Sequence, residues 1–181
     1  MKAINLKTEF LVNPIGIDIQ NPQLMWNCDG GITQTAYRII AKRDGKSVWD
    51  SGKVNSSSMR AEYPLALSSR ERIVWNVTLW DENDREGEPS ETAFFETGLL
   101  SASDFAAKWI SGKYRVNKTK RYPVDCFKKQ FNAENIANAR LYITACGLYE
   151  AKINGKRVGN FVLAPGHTDY TKRIQLQTYD V

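Results

Sequence analysis

The chain reads as all-β: a sandwich over its first hundred residues, a linker, and a second β region after it. Three observations predict this. Short strand-like segments recur, each closed by turn residues. Glu71–Trp80 alternates, with Ile73, Trp75, Val77 and Leu79 on one face and Arg72, Val74, Asn76, Thr78 and Trp80 on the other. Long helical periodicity is absent.

The elements follow in order. Gln23–Asn27 is the first strand candidate, and Ala36–Ala41 the next, closed by the turn Arg43-Asp44-Gly45-Lys46. Ser47–Asp50 follows and ends at Ser51-Gly52. After the alternating strand, Asp81–Pro89 is a polar turn and Thr92–Thr97 the last strand. The sequence divides into a sandwich over 1–100, a linker over 101–123 and a second, incomplete β region over 124–181. Leu99–Asn117 is linker-like, with one helical turn expected at 101–105, capped by Ser103 or Asp104. Trp109-Ile110 is expected to pack between the two parts. Lys113–Pro123 is a basic loop. Phe127–Phe131 alternates like a strand, and Ala133–Ala139 reads as a helical turn or a loop leading into a strand at Arg140–Ala145. Asn154-Gly155 is a two-residue hairpin turn, because both central positions favour positive φ. Leu148–Ile153 and Lys156–Leu163 flank it. Pro165-Gly166 breaks the pattern, and Arg173–Tyr179 alternates again.

Composition excludes several classes. The 42% apolar and 25% charged residues are those of a globular protein. No run of about 18 apolar residues exists to span a membrane, and MKAINLKTEF lacks a signal-peptide core; the compartment is left open. Cys28, Cys126 and Cys146 are odd in number and widely spaced, with one histidine, His167, so no zinc-type spacing arises. They read as three buried thiols, or as one disulfide and a free thiol. Residues 1–100 carry 11 Lys+Arg against 14 Asp+Glu, net −3, whereas 101–181 carry 14 against 6, net +8. The basic residues are scattered through strand-like segments, densest at Lys118, Lys120 and Arg121 and at Lys128 and Lys129. No phosphate loop or recognition helix accompanies them, so a solvated face is the reading, not a nucleic-acid site.

An ordered set of motifs then gives a resemblance. Leu24-Met25-Trp26, Ala36–Ile39 and Trp75-Asn76-Val77, followed by Asp81, Ser90 and Phe95–Gly98, resemble a fibronectin type III-like domain. Trp49–Val54, Phe95–Leu100, Ala107–Ile110, Gly147–Glu150, Asn154–Gly159, Leu163–Gly166, Thr168–Tyr170 and Gln177–Val181 add to them. Together they resemble the N-terminal region of bacterial α-L-rhamnosidases, glycoside hydrolase family 78. The resemblance implies a fibronectin type III-like (immunoglobulin-like) sandwich, then part of a second, jelly-roll-like one, truncated before the catalytic domain. Beyond it would lie a helical toroid that hydrolyses terminal α-L-rhamnosides with inversion, using carboxylates about 6.5–9.5 Å apart. No catalytic residue, metal ligand or cofactor is then expected in these residues. The partner is the rest of the parent enzyme, and rhamnose-containing carbohydrate is a further candidate. A free-standing binding module for an acidic rhamnose polymer is the alternative. Some relatives bind calcium in the second domain, but residues 141–181 hold only Glu150, Asp169 and Asp180. An incomplete sandwich also leaves open edges that invite self-association.

The carbohydrate-contact candidates are Tyr149, Asn154, His167, Asp169, Tyr170 and Arg173. Each has a plainer reading. Asn154 makes a turn. Asp169 pairs with Arg173 or Lys172 in a local corner. Tyr149 faces either core or solvent. His167 stands where many relatives carry an aromatic residue, and no Ser or Cys in triad order supports it as a catalyst. Trp80 is expected to be the best exposed aromatic of the first domain, at a sandwich edge or a domain interface.

Overall fold

The computed structural model describes residues 1–181 apart from Val116 and Lys118, so those two positions of the linker and basic loop lie outside the described residues. Among the described residues thirteen strands form: β1 Lys2–Thr8, β2 Ile15–Ile17, β3 Gln23–Asp29, β4 Ala36–Arg43, β5 Lys46–Asp50, β6 Val54–Asn55, β7 Arg60–Glu62, β8 Arg72–Trp80, β9 Ala93–Thr97, β10 Arg140–Ile143, β11 Lys152–Ile153, β12 Lys156–Arg157 and β13 Gln177–Asp180. The first nine make the sandwich. One sheet runs β1-β3-β7, and the other runs β2-β9-β8-β4-β5 with β6 also on β4. All pairings within them are antiparallel except β2 on β9.

Period two sets the core. Ile73, Trp75, Val77 and Leu79 of β8 are fully buried, as the alternation predicts. Leu24 and Trp26 from β3 face them across the sandwich, with Ile39, Ala41, Tyr63 and Phe95. The Tyr63 ring meets Phe95 and Trp49 edge-on, at centroid separations of 5.5 and 5.7 Å. A buried amide ties the layers together. Gln34 Oε1 accepts from Trp26 Nε1 at 2.8 Å, and Gln34 Nε2 donates to the carbonyls of Ser56 and Ser58, both at 2.9 Å. The Gln34 amide thus spends both ends inside the protein, where an unpaired one would be costly.

Several expectations need correction. Trp80 is buried, not exposed: the turn after β8 returns to bridge it at Glu86, and Lys53 Nζ lies 5.0 Å from its ring centroid. The helical turn is a single 3₁₀ turn, Ala102–Asp104, but its cap is Ser101 rather than Ser103 or Asp104. The Ser101 side chain accepts from Ser103 N while Asp104 reaches back to Ser101 N, a reciprocal box. Trp109 and Ile110 are exposed and anchor nothing. Phe127–Phe131 forms no strand, since alternation selects a face but a strand also needs a ladder partner. Of the two readings left open for Ala133–Ala139, the structure shows the loop. The hairpin strands are shorter than expected, two residues each, and β13 begins four residues after Arg173. The cysteines are all free. Cys126 and Cys146 are exposed, and only Cys28 is half-buried, which pushes its thiol pKa up.

Candidate functional site

The second β region is small. β10 pairs with β13 antiparallel, Leu141 opposite Tyr179, and β11 and β12 close the hairpin. Asn154 (φ 51°) and Gly155 (φ 80°) turn it with the two left-handed residues that the Asn-Gly pair supplies. Among the described residues only Ala164, Pro165 and Tyr179 are buried apolar residues of this region, while Phe127, Phe131, Leu148, Phe161, Val162 and Leu163 are exposed.

The predicted carbohydrate contacts separate into groups. Tyr149 is half-buried and internal: its hydroxyl meets that of Tyr179 at 3.0 Å, and its N–H donates to Ala164 O at 2.9 Å. Burial, reinforced by that hydroxyl pair, holds the Tyr149 phenol well above its ordinary pKa. Asn154 is exposed at the hairpin tip and makes the turn. His167, Asp169, Tyr170 and Arg173 share one turn, 167–173. The His167 and Tyr170 rings lie 5.5 Å apart and tilted by 56°. Asp169 organises the turn. Its Oδ1 accepts from Thr171 Oγ1 at 2.7 Å and Thr171 N at 3.1 Å, and its carbonyl accepts from Lys172 and Arg173 N, both at 2.9 Å. The Thr171 hydroxyl keeps the Asp169 carboxyl below the usual range. Of the two partners expected for that carboxylate, the structure supplies Lys172, at 3.6 Å. What remains for a ligand is a small aromatic lip on a hydrogen-bonded corner. Among the described residues no group of three or more metal-ligating side chains gathers, and no helix is long and apolar enough to cross a membrane.

A more heavily built place lies where the two β regions meet. Arg140 opens β10 and grips Glu96 of β9 with two parallel bonds, Nε to Oε1 at 2.7 Å and Nη2 to Oε2 at 2.9 Å. Its Nη1 reaches Asp180 of β13 at 2.5 Å and the Ala139 carbonyl at 3.0 Å. The Glu96 and Arg140 side chains are only 8% and 13% exposed. The fork geometry makes this the strong form of an ion pair. The Glu96 hydrogen bonds are the main reason the Arg140 guanidinium binds its proton even more tightly than usual. Around the pair, Arg70 lies 5.6 Å from the centre of the Tyr142 ring, and Arg72 Nη1 is 3.9 Å from Glu96. Gly16 of β2 completes the seat. At φ 77° it lies so close to Thr178 of β13 that a Cβ would stand 2.5 Å from its hydroxyl.

Sequence reading names none of these as functional. Glu96 sits in the Phe95–Gly98 motif and Arg140 begins an expected strand, but nothing local pairs residues 44 apart. The opposite charge balance of the two halves is the available signal.

These features define a tandem β module, an immunoglobulin-like sandwich with a second β region docked through a charged clamp. The chain belongs to the family described as "Rha78A-like, N-terminal immunoglobulin domain", matched by residues 3–101. Residues 134–181 match "Alpha-L-rhamnosidase N-terminal domain". An α-L-rhamnosidase of Formosa agariphila is 36% identical over 96% of this chain and 21% of its own length. One of Alteromonas sp. is 34% identical over 99% and 22%. Among solved structures, an α-L-rhamnosidase from Dictyoglumus thermophilum superposes with a TM-score of 0.80 at 35% identity, over 98% of this chain and 23% of that one. The native enzyme from Aspergillus terreus gives 0.81 at 30%, over 99% and 22%. The chain thus spans about a fifth of the length of the curated relatives it matches.

Proposed function

We propose that the chain is the non-catalytic N-terminal platform of an α-L-rhamnosidase-like glycoside hydrolase whose chemistry, inverting hydrolysis of terminal α-L-rhamnosides, lies outside these residues. The observation that carries this reading is the exposed apolar set of the second region, Phe127, Phe131, Phe161, Val162 and Leu163, which suits a face covered by a larger partner. That partner is the helical toroid of the parent enzyme. The units of the platform are a sandwich over 1–100, a linker over 101–123 and a partial sandwich over 124–181. Within the platform, the His167–Tyr170 lip is the place for weak carbohydrate contact, with Arg173 as a polar neighbour in sequence, Asn154 as a separate polar candidate on the hairpin tip, and Tyr149 and Asp169 in supporting roles.

Assay of this chain on an aryl α-L-rhamnoside tests the first claim: no turnover is expected, and turnover by the purified chain would refute it. Adding the chain to a separately made toroid should raise the toroid's thermal stability, and replacing Phe127 and Phe131 with Ser should remove that effect.

The net charge of +8 over 101–181 favours a second reading, a free-standing binder of acidic rhamnose-containing polysaccharide. Salt-sensitive retention by such a polymer, with none on a neutral one, supports it. No retention at low salt removes it.

A further inference from the structure

A second surface lies in the first sandwich, on the outer face of β1-β3-β7. Antiparallel sheets commonly leave one face to water, lined by polar residues. Here the face carries a groove of about 360 Å³, lined by Asn5, Lys7, Phe10, Met25, Asn27, Met59 and Arg60 among others. Such a volume is within the usual range for small-molecule sites. Register puts Lys7, Met25 and Arg60 in one row across the three strands, Lys7 opposite Met25 and Met25 opposite Arg60. An apolar strip is therefore flanked by two cations. Neither Lys7 nor Arg60 has an acidic partner among the described residues. A bulge in β1 between Ile4 and Lys7, with Asn5 at φ 53°, brings both Asn5 and Lys7 to the groove.

Phe10 adds a separate observation. Thr8 and Leu11 exchange both backbone hydrogen bonds, at 2.9 and 3.0 Å, around a two-residue turn. Its central residues are Glu9 (φ 50°) and Phe10 (φ 64°). Such turns favour Asn and Gly, and a bulky aromatic there is an outlier that stores strain. Phe10 is also 70% exposed, so core packing does not explain its presence. Strained residues of this kind cluster at ligand sites.

We propose that this groove binds an acidic oligosaccharide, a sugar chain bearing carboxylates. The ring of Phe10 and the thioethers of Met25 and Met59 offer an apolar bed to the C–H face of a sugar, and the aromatic face attracts such edges. The Asn5 and Asn27 amides meet hydroxyls as donor and acceptor. Lys7 and Arg60 each take a carboxylate, the basis of selectivity over neutral sugars. The site stands in the sandwich, apart from the turn 167–173 and from the basic second region, so its failure leaves the platform reading intact.

Calorimetric titration of the whole chain with a trigalacturonate, at low and raised salt, tests it. Binding is expected, weakened by salt and lost with the methyl ester of the same trisaccharide. The double variant Lys7→Gln, Arg60→Gln should lose roughly tenfold in affinity, a few-fold for each exposed charge pair. Lys42→Gln, Lys46→Gln, exposed on the opposite sheet, should lose none. Phe10→Gly is the sharpest arm: it should relieve the turn and leave Tm unchanged or raised, yet bind more weakly. Unchanged affinity in either groove variant would overturn the proposal, as would equal binding of the methyl ester or of poly-L-glutamate.

Discussion

Replacing Arg140 with Met isolates the clamp between the two β regions. The substitution keeps the length of the stem and removes the fork. Glu96 then keeps only Arg72, 3.9 Å away, as an acidic side chain that is 8% exposed. Stranding one member of a buried pair costs about 3–5 kcal/mol. The remaining Arg72 contact offsets part of this, and loss of the bond to Asp180, 72% exposed, adds little. The expected penalty is therefore about 2–3 kcal/mol on docking of the second region, or roughly 30- to 140-fold in its opening equilibrium. Hydrogen exchange reads this directly: amides of Arg140–Ile143 and Gln177–Asp180 should lose protection by that factor, while those of β4 and β8 keep theirs. Glu96→Gln should cost less, because Arg140 retains Asp180, and the double variant should cost less than the sum of the two. Unchanged protection at 140–143 in Arg140→Met would refute the claim that the clamp holds the two regions together.

Other sites give three further expected outcomes. Gln34→Leu should destabilise the sandwich by about 2–3 kcal/mol in urea denaturation, since it strands the Trp26 indole N–H and two carbonyls; a loss under about 0.5 kcal/mol would mean that water replaces the amide. The bidentate bond from Arg38, helped by Gly52 N–H, lowers the Asp50 pKa from 3.8 to about 2. Because the folded value is the lower one, its stabilisation is complete above about pH 4 and is lost as pH falls toward 2; Asp50→Asn should flatten the acid limb of a stability profile in that window, and an unchanged slope would count against it. Sedimentation should show concentration-dependent association through the exposed apolar residues of the second region, weakened by Phe161→Ser, and a monomer at every concentration would oppose this.

The strands legible in the sequence are those with enough residues to show a period. β3, β4, β5, β8 and β9 run for five or more residues and end at Gly or Asp turns, and in β3 and β8 the buried positions alternate. β1 is as long as β3, but its bulge at Asn5 shifts the inward positions and breaks the alternation. β2, β6 and β7 have two or three residues each and carry no period at all. Phe127–Phe131 shows the converse: its alternation is real, yet no strand among the described residues pairs with it. Trp80 is misplaced by the sequence because alternation assigns a face and cannot see a turn folding back over it. The Asn154-Gly155 turn and the Asp169 corner are readable because both are local. The clamp is not, because an ion pair between two strands of different sheets leaves no local trace.

That ion pair also closes a ring of chain. Glu96 and Arg140 are 44 residues apart, and nearly everything described between 106 and 138 is exposed and irregular. The entropy of closing such a loop grows only with the logarithm of its length, about 0.6 kcal/mol for each doubling. Inserting or deleting several residues near Val124 would therefore leave the angle between the two regions almost untouched, because that angle is fixed at Arg140 and not by the tether. The stretch is a place where evolution or an engineer can graft new sequence without tilting the second region against the first.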